Sequence, residues 1–210
     1  MKLKYTRCGC TKHKHNSKRI VLTGGPGAGK TAVLEMVRHL LCPHITILPE
    51  SASILFGGGF WRKPDLAARK AAQRAIYYIQ REQEQMVQEE ANNAVTLCDR
   101  GTIDGLAYWP LKPHLFFKQV KSSRPIELER YDVVIHLRTP AFNRGYDLSN
   151  PVRIESAEEA IAIDLLIEEA WRGHPHRHFV SSTETFLEKA QKTLELIETE
   201  LPRCCENSLS

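Results

Sequence analysis

The chain has 210 residues, 42 % of them hydrophobic, which suffices for one α/β domain with a sizeable core. No apolar stretch approaches the ~20 residues of a membrane span, and the basic start lacks the apolar block of a secretion signal, so a cytoplasmic protein is expected. The net charge of +4 is uneven: residues 1–20 carry seven basic side chains and no acid, leaving 22 basic and 25 acidic side chains elsewhere.

Residues 1–18 read as a basic, solvated extension, because neither aromatic interleaving nor a helical period organises them. Such charge would also suit nucleic acid or an anionic membrane, the lesser reading. Cys8, Cys10, His13 and His15 are soft metal ligands, but their spacing is tighter than the usual zinc patterns. The six cysteines show no framework spacing, as expected of free thiols in a reducing compartment.

Arg19 to Leu22 is short, apolar and β-branched, as a buried strand should be. It runs into Gly24-Gly25-Pro26-Gly27-Ala28-Gly29-Lys30-Thr31, which satisfies the phosphate-binding pattern G-x-x-x-x-G-K-S/T. A helical period follows over Thr31 to Leu41, completing the strand–loop–helix context of that motif. Glycines let successive backbone N–H groups point inward and form an anion nest at a helix N-terminus. Lys30 is placed to reach β- and γ-phosphates, and the Thr31 hydroxyl suits Mg²⁺. The implied cofactors are Mg²⁺ and a nucleoside triphosphate. The absence of an Asn-Lys-x-Asp guanine motif favours ATP, with GTP left open.

Downstream, Ile45–Leu48 reads as a second strand ending at Glu50, and 57–64 as a glycine-rich loop carrying Phe60 and Trp61. A long helix spans about 65–92 and a third strand 94–98, leading into Asp99-Arg100. A Pro- and aromatic-rich stretch precedes one short helix, and Val133–Leu137 forms a fourth strand. Residues 139–153 are too irregular for a regular element. Then come a helix at 156–171 with Ser156 and Glu159 as a capping box, a strand at 178–180 and a last helix at 183–201. Alternating strands and helices imply a doubly wound five-stranded parallel sheet with flanking helices, over residues 19–201, with 202–210 a tail.

In such a sheet the strand ends converge. Asp99 has the position of a Walker B acid for Mg²⁺, Arg100 of a cation for transition-state charge, and Glu50 of a proton acceptor. On the long helix Gln73, Tyr77, Gln80 and Glu84 share a face able to grip a small acceptor, with Trp61 positioned to stack on it. Arg144 and Arg153 flank a segment suited to a lid that brings a cation to the γ-phosphate, although which arginine acts stays open. The base is expected near residues 181–185 by analogy of fold. The histidines of 174–178 alternate along a strand approach and so disfavour a shared metal.

Together Val21 to Thr31, Pro49-Glu-Ser-Ala52, Gln73 to Tyr77, Asp99-Arg-Gly-Thr-Ile-Asp-Gly105, Asn150 to Glu155 and Ala170 to Pro175 resemble a family of AAA-type P-loop ATPases. That family is similar to the kinase domain of the bacterial nicotinamide riboside kinase/NAD regulator. An animal branch, involved in photoreceptor channel trafficking, binds GTP and carries an added triphosphate-tunnel domain. The resemblance implies a P-loop NTPase of nucleoside/nucleotide-kinase-like fold. Asp99-Arg100 and Glu50 are similar, more distantly, to the Asp-Arg pair and the base of deoxynucleoside and thymidylate kinases. The expected activity is transfer of the γ-phosphate of Mg-ATP to a small acceptor hydroxyl. The competing expectation is an ATP- or GTP-hydrolysing switch with a protein or membrane partner. A third, phosphorylation of nucleic-acid ends, rests on the basic extension alone.

Overall fold

The computed structural model describes residues 16–41, 44–90, 93–140, 156–181 and 185–202. Five strands lie within them: β1 (Lys18–Thr23), β2 (Ile45–Leu48), β3 (Val95–Asp99), β4 (Val133–Leu137) and β5 (Arg177–Val180). All pair in parallel, in the order β2-β3-β1-β4-β5. Parallel neighbours require crossovers, and helices supply them: α1 (Lys30–Leu40), α2 (Ser51–Gly57), α3 (Leu66–Glu90), α4 (Pro113–Val120), α5 (Arg124–Leu128) and α6 (Ala157–Ala170); α7 (Phe186–Glu198) follows β5 and packs on the α1 side.

Alternation along the strands divides the core into two layers. Ile20 and Leu22 of β1, with Leu97 and Ile135, pack under Val33 of α1 and Ile197 of α7. Val21, Cys98 and Val134 face the other way, against Val87 of α3 and Ile167 and Trp171 beside α6. A smaller cluster of Tyr77, Trp109, Phe116 and Val120 joins α3 to α4. Cys98 is a free, buried thiol, pushed well above its ordinary pKa by burial.

The expected strands and long helices are present within three residues of their expected ends. The helix caps set several boundaries. Asp65 Oδ1 accepts the Ala68 N–H at 2.8 Å and opens α3, and both Ser156 and Thr185 form complete capping boxes.

Three features depart from the sequence reading. Ser51–Gly57 is a helix, so Gly57 closes α2 rather than opening the loop that follows. One expected short helix is two, because Lys121 turns left-handed at φ 53° and Pro125 starts α5 anew. A 3₁₀ turn, Asp104–Ala107, interrupts the stretch after β3. No helix among the described residues is long and apolar enough to cross a membrane.

β1 and β3 are neighbours whose outgoing connections run to opposite sides of the sheet. The crevice at their carboxyl ends is the switch point at which doubly wound sheets bind ligands.

Candidate active site

The phosphate-binding motif fills the turn from β1 to α1. Gly24 has φ +133° and a side chain there would fall 2.1 Å from the Leu137 carbonyl, so the backbone tolerates only glycine. Gly29, at φ +94°, caps α1 with no acid in the helix's first turn, leaving the N-terminal field for an anion. Thr31 sits exposed on that first turn. Lys30 is buried, and its Nζ donates to the Gly24 and Gly25 carbonyls at 2.9 and 3.0 Å. Burial, reinforced by the nearby Arg100 charge, lowers its pKa to about 8.

The turns after β2 and β3 meet at the same place. Arg100 holds a left-handed backbone (φ 71°), a strained conformation for a side chain of this size, fixed by its N–H on Leu22 O at 3.1 Å. That turn aims the guanidinium at the phosphate loop: Nε donates to Glu50 Oε1 at 2.6 Å and an Nη to Gly24 O at 3.2 Å. Burial opposes the charge of Arg100, but Tyr108, Glu50 and Asp104 around it raise its pKa. Burial would likewise raise the Glu50 carboxyl, yet Arg100, the Ser53 hydroxyl and Lys30 hold it at about 2.

Asp99 supplies the metal test. Its Oδ1 is buried with no hydrogen-bond partner, and burial, only partly offset by Lys30, pushes the carboxyl up to about 6. An orphaned carboxylate oxygen is costly unless a ligand completes it. Mg²⁺ takes one or two carboxylates plus substrate phosphates rather than an all-protein cage. The orphaned Asp99 oxygen and the exposed Thr31 hydroxyl are donors of the kind that would suit Mg²⁺ arriving with its nucleotide.

Beside this centre opens a cleft of about 1070 Å³ between α2, α3 and the segment after β3. Its lining includes Pro26 of the phosphate loop, Glu50 and Arg100, together with Trp61, Gln73, Tyr77 and Tyr108. Trp61 is 73 % exposed, with Lys63 Nζ 4.4 Å from its ring centre. Tyr77 and Gln80, expected on this face, also line the cleft, and their polar ends are engaged within the protein. The Tyr77 hydroxyl donates to Glu127 Oε1 at 2.7 Å. Gln80 bridges Ser51 and Glu84, and Glu84 accepts from Tyr131 at 2.6 Å. These groups hold α3 in place, and Gln73 is left to face the cleft.

Arg144 and Arg153, Cys8, Cys10, His13 and His15, and most of the proposed base site (182–184) lie outside the described residues. His174 is buried against the Tyr131 carbonyl at 2.8 Å, a packing role.

Two carboxylates escape the sequence reading. Asp104, 2 % exposed, accepts from Thr23 Oγ1 at 2.8 Å and from Trp171 Nε1 at 2.6 Å, joining the end of β1 to the end of α6. Asp164, on α6, accepts the Gly25 N–H at 2.7 Å and meets His136 Nε2 at 3.0 Å. Burial disfavours its charge, but the His136 hydrogen bond, the Gly25 amide and Arg138 lower its pKa overall. A lone acid on the buried face of α6, at the spacing of Ala157, Ala160 and Ile167, was the signal available for it.

A family model described as an AAA domain matches residues 19–189. The chain belongs to this AAA-domain family. Among solved structures, a thymidylate kinase from Candida albicans is similar to this member of the family. The TM-score is 0.58 at 15 % identity, over 87 % of this chain and 92 % of that one, a likeness of fold. No curated protein matches the chain. The parallel sheet, the phosphate loop at its switch point and this likeness agree on a P-loop NTPase fold of nucleotide-kinase type.

Proposed function

We propose that this AAA-domain protein is a phosphotransferase that moves the γ-phosphate of Mg-ATP to a hydroxyl of a small acceptor. The observation that carries the reading is the cleft of about 1070 Å³ sharing Pro26, Glu50 and Arg100 with the phosphate site. A hydrolase needs room for a water beside the γ-phosphate. A kinase needs a second compartment, and one is present.

The N–H groups of residues 27–31 would cradle the phosphates. Lys30, held on the Gly24 carbonyl, would turn its remaining N–H groups to the β- and γ-oxygens, and Arg100 would neutralise charge on the transferring group. Asp99 and Thr31 would hold Mg²⁺, which when bound would neutralise charge on the phosphates. Glu50 would accept a hydrogen bond from the acceptor hydroxyl and aim it. A carboxylate held at about 2 is a weak base, but a loose phosphoryl-transfer transition state asks chiefly for positioning. Trp61 and Gln73 would grip the acceptor.

The pairing of Glu50 with Arg100 also favours a second reading, a slowly hydrolysing switch in which Glu50 is structural. One experiment separates them. γ-Labelled ATP and GTP are offered with pooled nucleosides, nucleotides, nicotinamide riboside and sugars, to the native protein, Lys30→Ala and Glu50→Gln. A labelled product lost in both variants is the expected result. Slow phosphate release, lost with Lys30 but indifferent to Glu50, would replace the kinase with the switch.

A further inference from the structure

Asp164 sits in the middle of the buried face of α6, where an apolar side chain would pack at no electrostatic cost. What it does there is hold one peptide unit. Its Oδ1 accepts the Gly25 N–H at 2.7 Å, and the carbonyl of that same peptide, Gly24 O, accepts from Lys30 Nζ at 2.9 Å and from Arg100 at 3.2 Å. The chain has no cis bond among the described residues, so the N–H and C=O of this peptide point in opposite directions. Anchoring the N–H behind the loop therefore turns the carbonyl forward, towards the two cations. The peptide dipole lies between a carboxylate at its positive end and two cations at its negative end, so each end strengthens the other.

Several contacts fix the anchor itself. His136 is fully buried on β4, and its Nδ1 faces Arg177 Nη2 at 3.2 Å. Arginine only donates, so Nδ1 accepts and Nε2 donates to Asp164 Oδ1 at 3.0 Å. Thr139 Oγ1 lies 3.4 Å from the same oxygen, and Arg138 pairs with Oδ2 at 3.4 Å. The packing is close: a side chain on Gly25 would fall 2.5 Å from Thr139 Oγ1, 2.8 Å from the Ala160 carbonyl and 2.9 Å from Asp164 Cβ.

We propose that Asp164 is a positioning residue that locks the Gly24–Gly25 peptide, and through its carbonyl sets Lys30 and Arg100 in place before nucleotide arrives. Glycines on both sides of the bond give the peptide little intrinsic resistance to flipping, and a flip would withdraw the carbonyl from both cations. The consequence for nucleotide rests on the phosphotransferase reading. The lock itself does not.

The test has an arm for each. In ¹H–¹⁵N spectra of the nucleotide-free chain, the Gly25 amide should resonate downfield and exchange slowly, and Asp164→Ala should cut its protection by on the order of tenfold or more. Asp164→Asn keeps an acceptor oxygen, so Gly25 should stay protected while its resonance moves upfield, the neutral amide being the weaker acceptor. In the second arm, Asp164→Ala should weaken Mg-ATP binding by roughly tenfold and Asp164→Asn by no more than about threefold, at matched thermal midpoints. A Gly25 amide unmoved by either substitution overturns the lock, and Asp164→Asn serves that purpose even if Asp164→Ala does not fold. Lost protection with unchanged affinity, or an Asn variant as weak as Ala, overturns its role in setting the cations. If the native protein bound no nucleotide, the phosphotransferase reading would fall, and the exchange arm would still decide the lock.

Discussion

Arg100 Nε lies 2.6 Å from Glu50 Oε1, an ion pair that ties the turn after β3 to the turn after β2. The two residues are fifty apart in sequence. Their pairing brings the expected transition-state cation and the expected acceptor-binding carboxylate to one point beside the phosphate loop.

Glu50→Gln keeps the shape of that pair and removes its charge. On the phosphotransferase reading, in which Glu50 acts on the acceptor, phosphoryl transfer should fall by about 10²-fold in kcat, with Mg-ATP affinity within about threefold of native. Single-turnover transfer beside equilibrium nucleotide binding checks this. The pair also has an acid limit. The Glu50 pKa is lowered from 4.5 to about 2, so its contribution to stability is complete above 4.5 and lost as pH falls towards 2. Glu50→Gln should therefore flatten part of the decline in melting temperature across that window.

Lys30 predicts an alkaline limit to binding. Burial lowers its pKa to about 8, and phosphate binding needs the ammonium form. Above pH 8 binding must take up a proton, so the Kd for Mg-ATP should rise by up to about tenfold per pH unit. Titration calorimetry in buffers of different ionisation enthalpy, between pH 7 and 9.5, would show the uptake; a flat Kd across that range would contradict it.

Asp99 carries a cost in stability that the proposed Mg²⁺ site would explain. Its carboxyl is raised from 3.8 to about 6, so the stability cost of ionising it builds up as pH rises from 3.8 to about 6, is complete above 6 and is absent below 3.8. Asp99→Asn should stabilise the nucleotide-free protein at pH 8 by on the order of 1–2 kcal/mol and abolish Mg²⁺-dependent turnover. Denaturant unfolding of both proteins, with a turnover assay, tests both halves. A destabilised variant would mean that the orphaned oxygen has an unrecognised partner.

Gly101→Ala should fail on packing. A side chain there would sit 2.6 Å from Trp171 Cζ2 and 3.1 Å from Val21 Cγ2, and Trp171 is fully buried with its N–H on Asp104. Overpacking of this kind costs about 1–3 kcal/mol. Because the clash lies under the Arg100 turn, turnover should drop with stability, measurable as a lowered melting temperature and a lowered kcat together.

Trp61→Ala should raise the acceptor KM by roughly tenfold, the loss of an aromatic platform, and leave nucleotide affinity unchanged. The side chain is 73 % exposed, so stability should not change. An unaltered acceptor KM would remove Trp61 from the acceptor site.

The phosphate loop, the alternation of strands and helices, and the three polar strand ends are legible in the amino-acid sequence. These are local signals: a glycine spacing, a period of two or 3.6, an acid where an apolar run stops. The short helix Ser51–Gly57 was not legible, since seven residues carry too little periodicity and its boundary depends on packing against α3. Tertiary structure alone decided which polar groups on the α3 face remain for a ligand. Tyr77 and Gln80 share a helical face with Gln73, but Glu127 and Ser51, distant in sequence, take up their polar ends. It alone decided, too, that Asp164 reaches the Gly25 amide 139 residues away. A carboxylate's role follows from the donors that surround it, and only the folded chain brings those donors together.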